Sequence, residues 1–331
     1  MKAIHAGADG ALSVAEVPTS VPAPGQLLIE LICAPVNPAD RMQVAGTYIV
    51  KKDPPFVPGV VGVGTVVAAN EAGLMGRFLK GKKVVFAPGP DLPGTWAERA
   101  VAPAALCLPL PSGLKPEEGV NLLANAMTAT ALIEEAKAMG SPALVLTGAA
   151  GELGRMVAAV GPDRGVEVVG VVRRQEQADA LRAAGVKHAL VSEAPDFTEA
   201  LSTAVAATGA RLAGDAVAGS MVARLMEALP GGGKVVCYGR LSGKDASFDV
   251  MRYLVGKHIT VVGFDLGAWL EGRSKLGQLK AVRLATQVLK SGHKTMVRDR
   301  VDLEELADRF AELGERQTEG KTIVFPNGVP R

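Results

Sequence analysis

Short apolar runs alternate with amphipathic stretches through the middle of the chain. Apolar runs at 144–147 and 166–172 flank a segment in which Leu153, Val157 and Val160 recur at helical spacing. Runs this short are typical of strands buried in a parallel sheet, and the spacing between them is typical of a covering helix. The same pattern predicts helices at 175–184, stopped by Gly185, and at 221–229, and a strand at 234–239. It therefore predicts a doubly wound α/β domain.

The residues before about 115 follow a different pattern. They are rich in Pro and Gly, with short alternating or β-branched runs at 27–32, 60–67 and 83–86. This pattern predicts an irregular β-rich domain. Prolines at 109, 111 and 116 then mark a boundary, and Glu117 and Glu118 suit the first turn of a helix.

The last part of the chain carries a few further elements. Helical spacing is shared by four apolar residues, Leu276, Leu279, Val282 and Leu289. Asp302 and Glu305 form a capping-box pattern for a second helix, and 321–325 reads as a last strand. Because these elements are too few for a third core, we expect residues 1–115 and 266–331 to form one domain around an α/β domain at 116–265.

Composition is that of an ordinary globular protein. The 331 residues suffice for two domains, 48% are hydrophobic and 21% charged, and the net charge is +2. No cluster of Lys or Arg indicates a nucleic-acid or membrane partner. Cys33, Cys107 and Cys237 are too far apart in sequence for a C-x-x-C pair, which argues against a disulfide framework or a structural zinc site. With no apolar leader or long uncharged span, we expect a cytoplasmic protein.

A turn of small residues follows the first buried strand. Only such residues at 148–151 let a dinucleotide diphosphate approach the backbone, and Gly154 lets the next helix press against the strand. The helix N-terminus would complete the anion site. The predicted cofactor-binding residues here are Gly148, Ala149, Ala150, Gly151, Glu152, Leu153 and Gly154. Glu152 is unexpected, because its carboxylate lies close to the expected diphosphate.

The end of the second strand predicts which nicotinamide cofactor is used. An acidic residue there would bind the ribose 2′-OH, whereas Arg173 and Arg174 can pair with a 2′-phosphate. NADPH is therefore favoured over NADH. A local ion pair with Glu176 is the alternative interpretation of these arginines.

Four motifs in a fixed order make the chain resemble the medium-chain dehydrogenase/reductase superfamily. They are Val36-Asn37-Pro38-Ala39-Asp40, the glycine-rich stretch 58–64, Gly94-Thr95-Trp96-Ala97-Glu98 and the turn at 148–154, with Gly320-Lys321-Thr322-Ile323-Val324 closing the chain. The resemblance implies a split GroES-like catalytic domain around a Rossmann domain, with the active site in the cleft. It also implies a homodimer joined through the edge of the cofactor sheet.

The zinc ligands of the superfamily's alcohol dehydrogenases have no counterparts here. Asn37 stands where those enzymes carry a Cys, and Val60-Val61 stands where they carry a His-Glu pair. No cysteine lies between Cys33 and Cys107, so the four-cysteine structural lobe is also missing. We predict no metal. The resemblance then favours the zinc-free branches, which are quinone oxidoreductases and 2-enoyl thioester reductases.

The resemblance to these branches also suggests roles for individual residues. Tyr48 is the candidate hydrogen-bond donor to the acceptor, with an ordinary loop tyrosine as the alternative. Asn37 resembles the asparagine beside the nicotinamide, with an Asx turn before Pro38 as the alternative. Asn125 and Thr128 resemble residues that contact cofactor or substrate, with helix caps as the alternative.

Later strand ends complete the predicted site. Tyr238, Gly239 and Phe264 would line the nicotinamide pocket, although core packing also explains Phe264. Asp265 stands where many enoyl reductases have Trp. Two functions remain open: NADPH-dependent reduction of a quinone, enone or enoyl thioester, and a catalytically silent NADPH-binding sensor, which Glu152 and Asp265 would favour.

Overall fold

A computed structural model describes residues 1–291, 295–314 and 319–330. Contacts divide the chain into two compact units, Met1–Ala124 with Lys294–Arg331, and Asn125–His293. Every helix in the described ranges is too short or too polar to cross a lipid bilayer.

The strands and helices are numbered in chain order. The strands are β1 (Lys2–Ala6), β2 (Leu12–Glu16), β3 (Gln26–Pro35), β4 (Gly62–Asn70), β5 (Lys83–Phe86), β6 (Arg99–Pro103), β7 (Cys107–Pro109), β8 (Ala143–Thr147), β9 (Glu167–Val172), β10 (His188–Val191), β11 (Leu212–Asp215), β12 (Lys234–Cys237), β13 (Thr260–Gly263), β14 (Val297–Val301) and β15 (Lys321–Val324). The helices are α1 (Pro38–Val44), α2 (Gly73–Leu79), α3 (Pro116–Gly119), α4 (Met127–Ala138), α5 (Glu152–Val160), α6 (Gln175–Ala183), α7 (Phe197–Thr208), α8 (Ser220–Ala228), α9 (Leu266–Glu271), α10 (Lys275–Lys290) and α11 (Leu303–Leu313). Single π-helical turns lie at Leu122–Ala126 and Met251–Gly256.

A parallel sheet forms the centre of the second unit, as the alternating pattern predicts. Its order, over the described residues, is β10-β9-β8-β11-β12-β13. The chain runs outward from β8 in one direction and from β11 in the other, so the carboxyl end of β8 lies at a topological switch point, where α/β sheets bind ligands. The β8 side chains are all buried, as expected for a strand covered on both faces.

The first unit is built on a mixed sheet of order β14-β15-β3-β4-β5-β7, with β6 also paired to β3. The last strand of the chain is thereby placed beside the end of β3. Val324 pairs with Ala34 and Ile323 with Pro35 in antiparallel register, and Val36 donates to the Thr322 carbonyl at 3.0 Å. This register brings Lys321 to Asn37.

Two of the sequence motifs fold against each other in the first unit. The Gly94 amide donates to Val57 and the Trp96 amide to Pro58. A Cβ on Gly94 would overlap the Pro58 carbonyl, and Gly59 has φ of +109°. Both glycines are therefore required by the close approach of the segments at 57–62 and 94–98. Trp96 is fully buried, and its indole donates to the Pro35 carbonyl.

The helix predicted from Leu276, Leu279, Val282 and Leu289 is present as α10, and of these four residues only Leu289 is buried. Leu276 and Leu279 are 79% and 65% exposed. The buried residues are Ala281, Ala285, Val288 and Leu289. The helix packs on α4, and small residues at the contact allow close approach. The division by contacts accordingly assigns α10 to the second unit, and β14, α11 and β15 to the first.

Candidate functional site

The turn after β8 is shaped by glycine. Gly148 has φ of +63°, a backbone conformation that suits a residue without a Cβ. The Ala149 amide donates to Val171 of the neighbouring strand at 3.2 Å, and Gly151 donates to the Gly148 carbonyl at 2.9 Å. A Cβ on Gly154 would overlap the Ala149 backbone, so α5 can press against the turn only because residue 154 is glycine.

Helix α5 begins directly after this turn. Gly151 is its N-cap residue and offers no side chain to the first-turn amides. The amides of Glu152, Leu153 and Gly154 have no intrahelical acceptor, since they belong to the first turn. These amides and the positive end of the helix dipole suit an anion such as a diphosphate.

Glu152 is turned back along its own helix. Its Oε2 lies 2.7 Å from Nη2 of Arg155, one turn later. Nη1 of Arg155 also donates to the Ala150 carbonyl at 2.7 Å, which ties the same guanidinium to the turn. The negative charge of Glu152 is therefore balanced within the turn, and its conflict with a bound diphosphate is reduced.

Arg173 and Arg174 follow β9, at the same carboxyl end of the sheet as the turn after β8. Thr147 pairs with Val171 in the parallel register of β8 and β9, which places both strand ends side by side. The backbone amides of the two arginines donate to Oε1 of Gln177 at 3.2 Å. Both side chains are exposed, and among described residues neither forms an ion pair with Glu176 or any other carboxylate.

The Tyr238 side chain is anchored at the β8 end. Its hydroxyl donates to the Thr147 carbonyl at 3.3 Å, and its amide donates to Asp215. Burial, with the Asp215 carboxylate, holds the pKa of Tyr238 well above its usual range. Gly239 lies against Ala216, where a Cβ would meet the carbonyl oxygen at 2.7 Å.

Asp215 is a residue that sequence reasoning missed. It is fully buried at the end of β11 and accepts the Thr147 hydroxyl at 2.6 Å. The amides of Val217 and Ala218 also donate to its carboxylate, at 3.0 and 2.8 Å. Asp215 therefore holds the loop after β11 in place. No strand was predicted at 212–215, so nothing in the sequence analysis placed Asp215 at a strand end.

The residues after β13 have structural partners. The Phe264 amide donates to Cys237, and its ring lies 6.2 Å from that of Trp269. Asp265 is the N-cap of α9, and its carboxylate accepts the Ala268 amide at 2.7 Å. Helix capping thus gives Asp265 a structural role.

Asn125 and Thr128 lie at a change of helical geometry. Asn125 belongs to the π-helical turn before α4, and Thr128 is the second residue of α4 and 7% exposed. The N-cap position of α4 is Ala126. Neither residue therefore occupies the N-cap position.

Asn37 lies at the centre of a buried polar group in the first unit. Its Oδ1 accepts a hydrogen bond from Lys321 Nζ at 2.6 Å. Because the ammonium can only donate, this contact fixes which way the amide faces. Its Nδ2 is buried and has no hydrogen-bond partner among the described residues. A buried donor without a partner is costly, so it marks a place where a ligand oxygen would fit.

Asp40 supports this group from α1. It is fully buried and accepts the amides of Asn37 and Val60 at 2.6 and 2.8 Å. Burial raises its pKa to about 6, while these hydrogen bonds and the charge of Lys321 act in the opposite direction. Asp40 and Lys321 lie within the motifs at 36–40 and 320–324, but no role was predicted for either of them. Lys321 meets Asn37 only through the β3–β15 pairing.

Tyr48 follows α1 in a partly exposed turn. Its backbone amide donates to the Met42 carbonyl at 3.0 Å, and Gly46 adopts φ of +65°. These contacts fix the turn that carries the phenol.

The positions that carry zinc ligands in alcohol dehydrogenases form other contacts. Asn37 bonds to Lys321, and the Val60 backbone is held by Asp40. Val60 and Val61 have no donor atoms on their side chains. Within the described ranges, no three His, Cys, Asp or Glu side chains are grouped to hold a metal ion.

Two family models match the chain. The model described as alcohol dehydrogenase GroES-like domain matches residues 23–112, and the model described as zinc-binding dehydrogenase matches residues 153–281.

Two solved structures are similar over almost the whole chain. A proposed NADPH:quinone reductase of Mesorhizobium loti is 30% identical, with a TM-score of 0.90 and 98% of each chain covered. The quinone oxidoreductase of Thermus thermophilus, solved also with NADPH, is 26% identical, with a TM-score of 0.79 and 98% and 100% coverage of this chain and that chain.

Two further relatives are similar over most of the chain. The synaptic vesicle membrane protein VAT-1 homolog of Mus musculus is 28% identical, over 92% of this chain and 77% of its own length. The mitochondrial enoyl-[acyl-carrier-protein] reductase of Arabidopsis thaliana is 24% identical, over 84% of this chain and 73% of its own. With the Rossmann sheet, the mixed GroES-like sheet and the near-complete match to the Mesorhizobium protein, the chain belongs to the medium-chain dehydrogenase/reductase superfamily.

Proposed function

We propose that this protein is an NADPH-dependent oxidoreductase that reduces an activated C=C bond or a quinone without zinc. The observation that carries the proposal is the buried, unpartnered Nδ2 of Asn37, held by Lys321 where alcohol dehydrogenases have a zinc ligand. An amide donor can polarise a carbonyl oxygen, which is what conjugate reduction needs. Alcohol oxidation would need a Lewis acid instead, and Asn37, Val60 and Val61 are poor ligands for one.

The second unit would hold the cofactor. The amides at the start of α5 and the glycine turn fit a diphosphate, and Arg173 and Arg174 fit the 2′-phosphate of NADPH. Arg155 compensates the Glu152 charge, so the carboxylate does not disfavour an anion there. The NADPH complex of the Thermus relative supports this cofactor.

When bound, NADPH supplies a hydride to the electrophilic carbon of the acceptor. Negative charge then grows on the acceptor's carbonyl oxygen. Asn37 Nδ2 would donate to that oxygen, and the Tyr48 phenol is the proposed second donor and proton source. A phenol is protonated at neutral pH and needs no metal to donate.

The acceptor class follows from the same donors. Quinones, enones and enoyl thioesters share a carbonyl oxygen conjugated to the carbon that takes the hydride. Kinship with proteins described as quinone and enoyl reductases supports this class, and we propose a quinone or enone as the substrate because Asp265 replaces the Trp typical of many enoyl reductases.

NADPH oxidation measured with 1,4-benzoquinone and with crotonyl-CoA tests the proposal. We expect turnover with the quinone, a lower rate in Tyr48→Phe, and an unchanged rate in the control Tyr253→Phe, whose hydroxyl bonds to Glu227 in the second unit. Tight NADPH binding with no turnover of either acceptor would instead support a silent NADPH sensor. Equal rates for wild type and Y48F would remove Tyr48 from the mechanism.

Homodimerisation is also proposed, through the free edge of the cofactor sheet. Strands β10 and β13 form the two edges of that sheet among the described strands; the proposed contact is through β13, whose residues are partly or fully exposed. Light scattering coupled to gel filtration would distinguish a dimer of about twice the 34.1 kDa chain from a monomer.

A further inference from the structure

Lys321 is a buried lysine that donates a hydrogen bond to an uncharged side chain. It is 9% exposed, and its Nζ lies 2.6 Å from Oδ1 of Asn37, 284 residues away in sequence. Burying an ammonium is costly, and the charge of the buried Asp40 carboxylate offsets part of that cost, while the Asn37 amide oxygen accepts a hydrogen bond from the ammonium.

The contact constrains Asn37 in two ways. It fixes the orientation of the amide, because rotating the group by 180° would set Nδ2 against the ammonium. It also draws electron density toward Oδ1, which strengthens Nδ2 as a donor, as in other hydrogen-bond chains. The backbone of Asn37 is held independently by Asp40, at 2.6 Å.

We propose that Lys321 is a positioning residue that orients and polarises Asn37, so that Nδ2 presents a preorganised donor to a carbonyl oxygen of the acceptor. This inference rests on the proposed function, but its central claim concerns the amide and can be tested without turnover. Lys321 itself touches neither substrate nor reacting atoms in this scheme.

The first test follows the Asn37 side-chain amide by ¹⁵N NMR, with the signals assigned by their loss in Asn37→Ala. In the wild type we expect two sharp, slowly exchanging NH₂ signals. In Lys321→Met they should broaden or move, because the amide can rotate, while Lys321→Gln and Lys321→Arg, which keep a donor, should retain them. Unchanged signals in K321M would overturn the proposal, whatever the activity of the enzyme.

The second test measures steady-state kinetics with 1,4-benzoquinone as the acceptor. We expect K321M to lower kcat about 100-fold, as loss of an oxyanion donor does. The double variant N37A/K321M should be no slower than N37A, because Lys321 acts through Asn37. K321R should recover part of kcat. A positioning role would be contradicted if the two losses of kcat multiplied in the double variant. It would also be contradicted if K321R folded normally but recovered none of the lost kcat.

A matched control separates this effect from a general loss of stability. Lys234 is also partly buried and bonds to Glu135 in the second unit at 2.7 Å. Lys234→Met should reduce the melting temperature without changing kcat. If K321M does not fold, Lys321→Ala, which also removes the donor, carries the same comparison.

NADPH affinity, measured by fluorescence titration, identifies the oxygen to which Asn37 Nδ2 donates its hydrogen bond. If that oxygen belongs to the acceptor, N37A and K321M will bind NADPH as wild type does. If NADPH binding weakens in both while the acceptor KM is unchanged, the cofactor's carboxamide is the partner and the acceptor assignment is overturned. Absence of wild-type turnover with every acceptor would defeat the proposed function alone, since the NMR test still decides the role of Lys321.

Discussion

Arg155 neutralises Glu152 across one turn of α5, with 2.7 Å between the guanidinium Nη2 and the carboxylate Oε2. Because the two side chains are 22% and 10% exposed, water screens the pair only in part. The turn that is expected to bind a diphosphate therefore carries a balanced charge.

Removing this arginine should weaken cofactor binding. In Arg155→Met the Glu152 carboxylate would repel the diphosphate, and we expect the Kd for NADPH to rise about tenfold, or ~1.4 kcal/mol. Fluorescence titration measures this change. The double variant E152Q/R155M should recover most of the affinity, and Arg309→Met, which breaks the similarly spaced Arg309–Glu312 pair, is the control. An unchanged Kd in R155M would mean that the Glu152 charge does not reach the ligand.

The arginines after β9 should select NADPH over NADH. We expect the double variant R173A/R174A to raise the Kd for NADPH about 10- to 100-fold, because charge-assisted hydrogen bonds to the 2′-phosphate are lost. NADH affinity should not change. Arg182→Ala is the matched control, because Arg182 lies on helix α6, which follows the two arginines, and is paired with Asp179. Equal weakening for both cofactors would exclude a role in selecting the 2′-phosphate.

Ionisation of Asp40 should cost stability as pH rises. Its folded-state pKa, about 6, lies above the ordinary 3.8, so the folded protein binds this proton more tightly than the unfolded chain does. The stabilisation from the protonated carboxyl is complete below about pH 4 and is lost as pH rises through 6. A shift of about two units corresponds to ~3 kcal/mol.

Asp40→Asn isolates this contribution. The variant loses one acceptor for the amides of Asn37 and Val60, which lowers stability at every pH. Relative to wild type, however, its free energy of unfolding should rise by ~3 kcal/mol between pH 4 and pH 7. Urea unfolding at several pH values measures the difference. A difference that does not vary with pH would show that Asp40 titrates normally.

Replacing Gly154 should destabilise the second unit. In Gly154→Ala the new methyl overlaps the Ala149 backbone, and since backbone cannot move aside cheaply, we expect a loss of about 3 kcal/mol. Calorimetry measures the fall in melting temperature. Gly263→Ala is the control, because a Cβ there meets nothing within 4 Å. Similar melting temperatures for the two variants would contradict the close packing of α5 on the turn.

Local patterns predicted much of the fold. Strand β5 has the predicted bounds, and α6 ends one residue before Ala184, with Gly185 following at φ of +93°. The capping box of α11 is present, with the Glu305 amide donating to Asp302 at 2.8 Å. These features depend on residues within one or two turns of each other, which is why sequence alone could predict them.

Contacts between distant segments could not be predicted in this way. Lys321 meets Asn37 only because β15 pairs with β3 in one register, and nothing near either residue indicates that register. The packing of α10 is a similar case, because spacing predicted the helix but not that Ala281, Ala285, Val288 and Leu289 would be its buried residues. The Glu152–Arg155 pair, by contrast, could have been found from its spacing of three residues.

The close fit of Gly94 against Pro58 bears on how this chain is compared with other proteins. Because Gly94 lies directly against the Pro58 carbonyl and Gly59 against Thr95, a larger residue at either glycine would require the facing segment to move. The glycine-rich motif at 58–64 and the motif at 94–98 therefore report a single steric requirement. When distant relatives are weighed, their joint presence should count as one observation, and a sequence that keeps only one of them should be suspected of a rearranged loop.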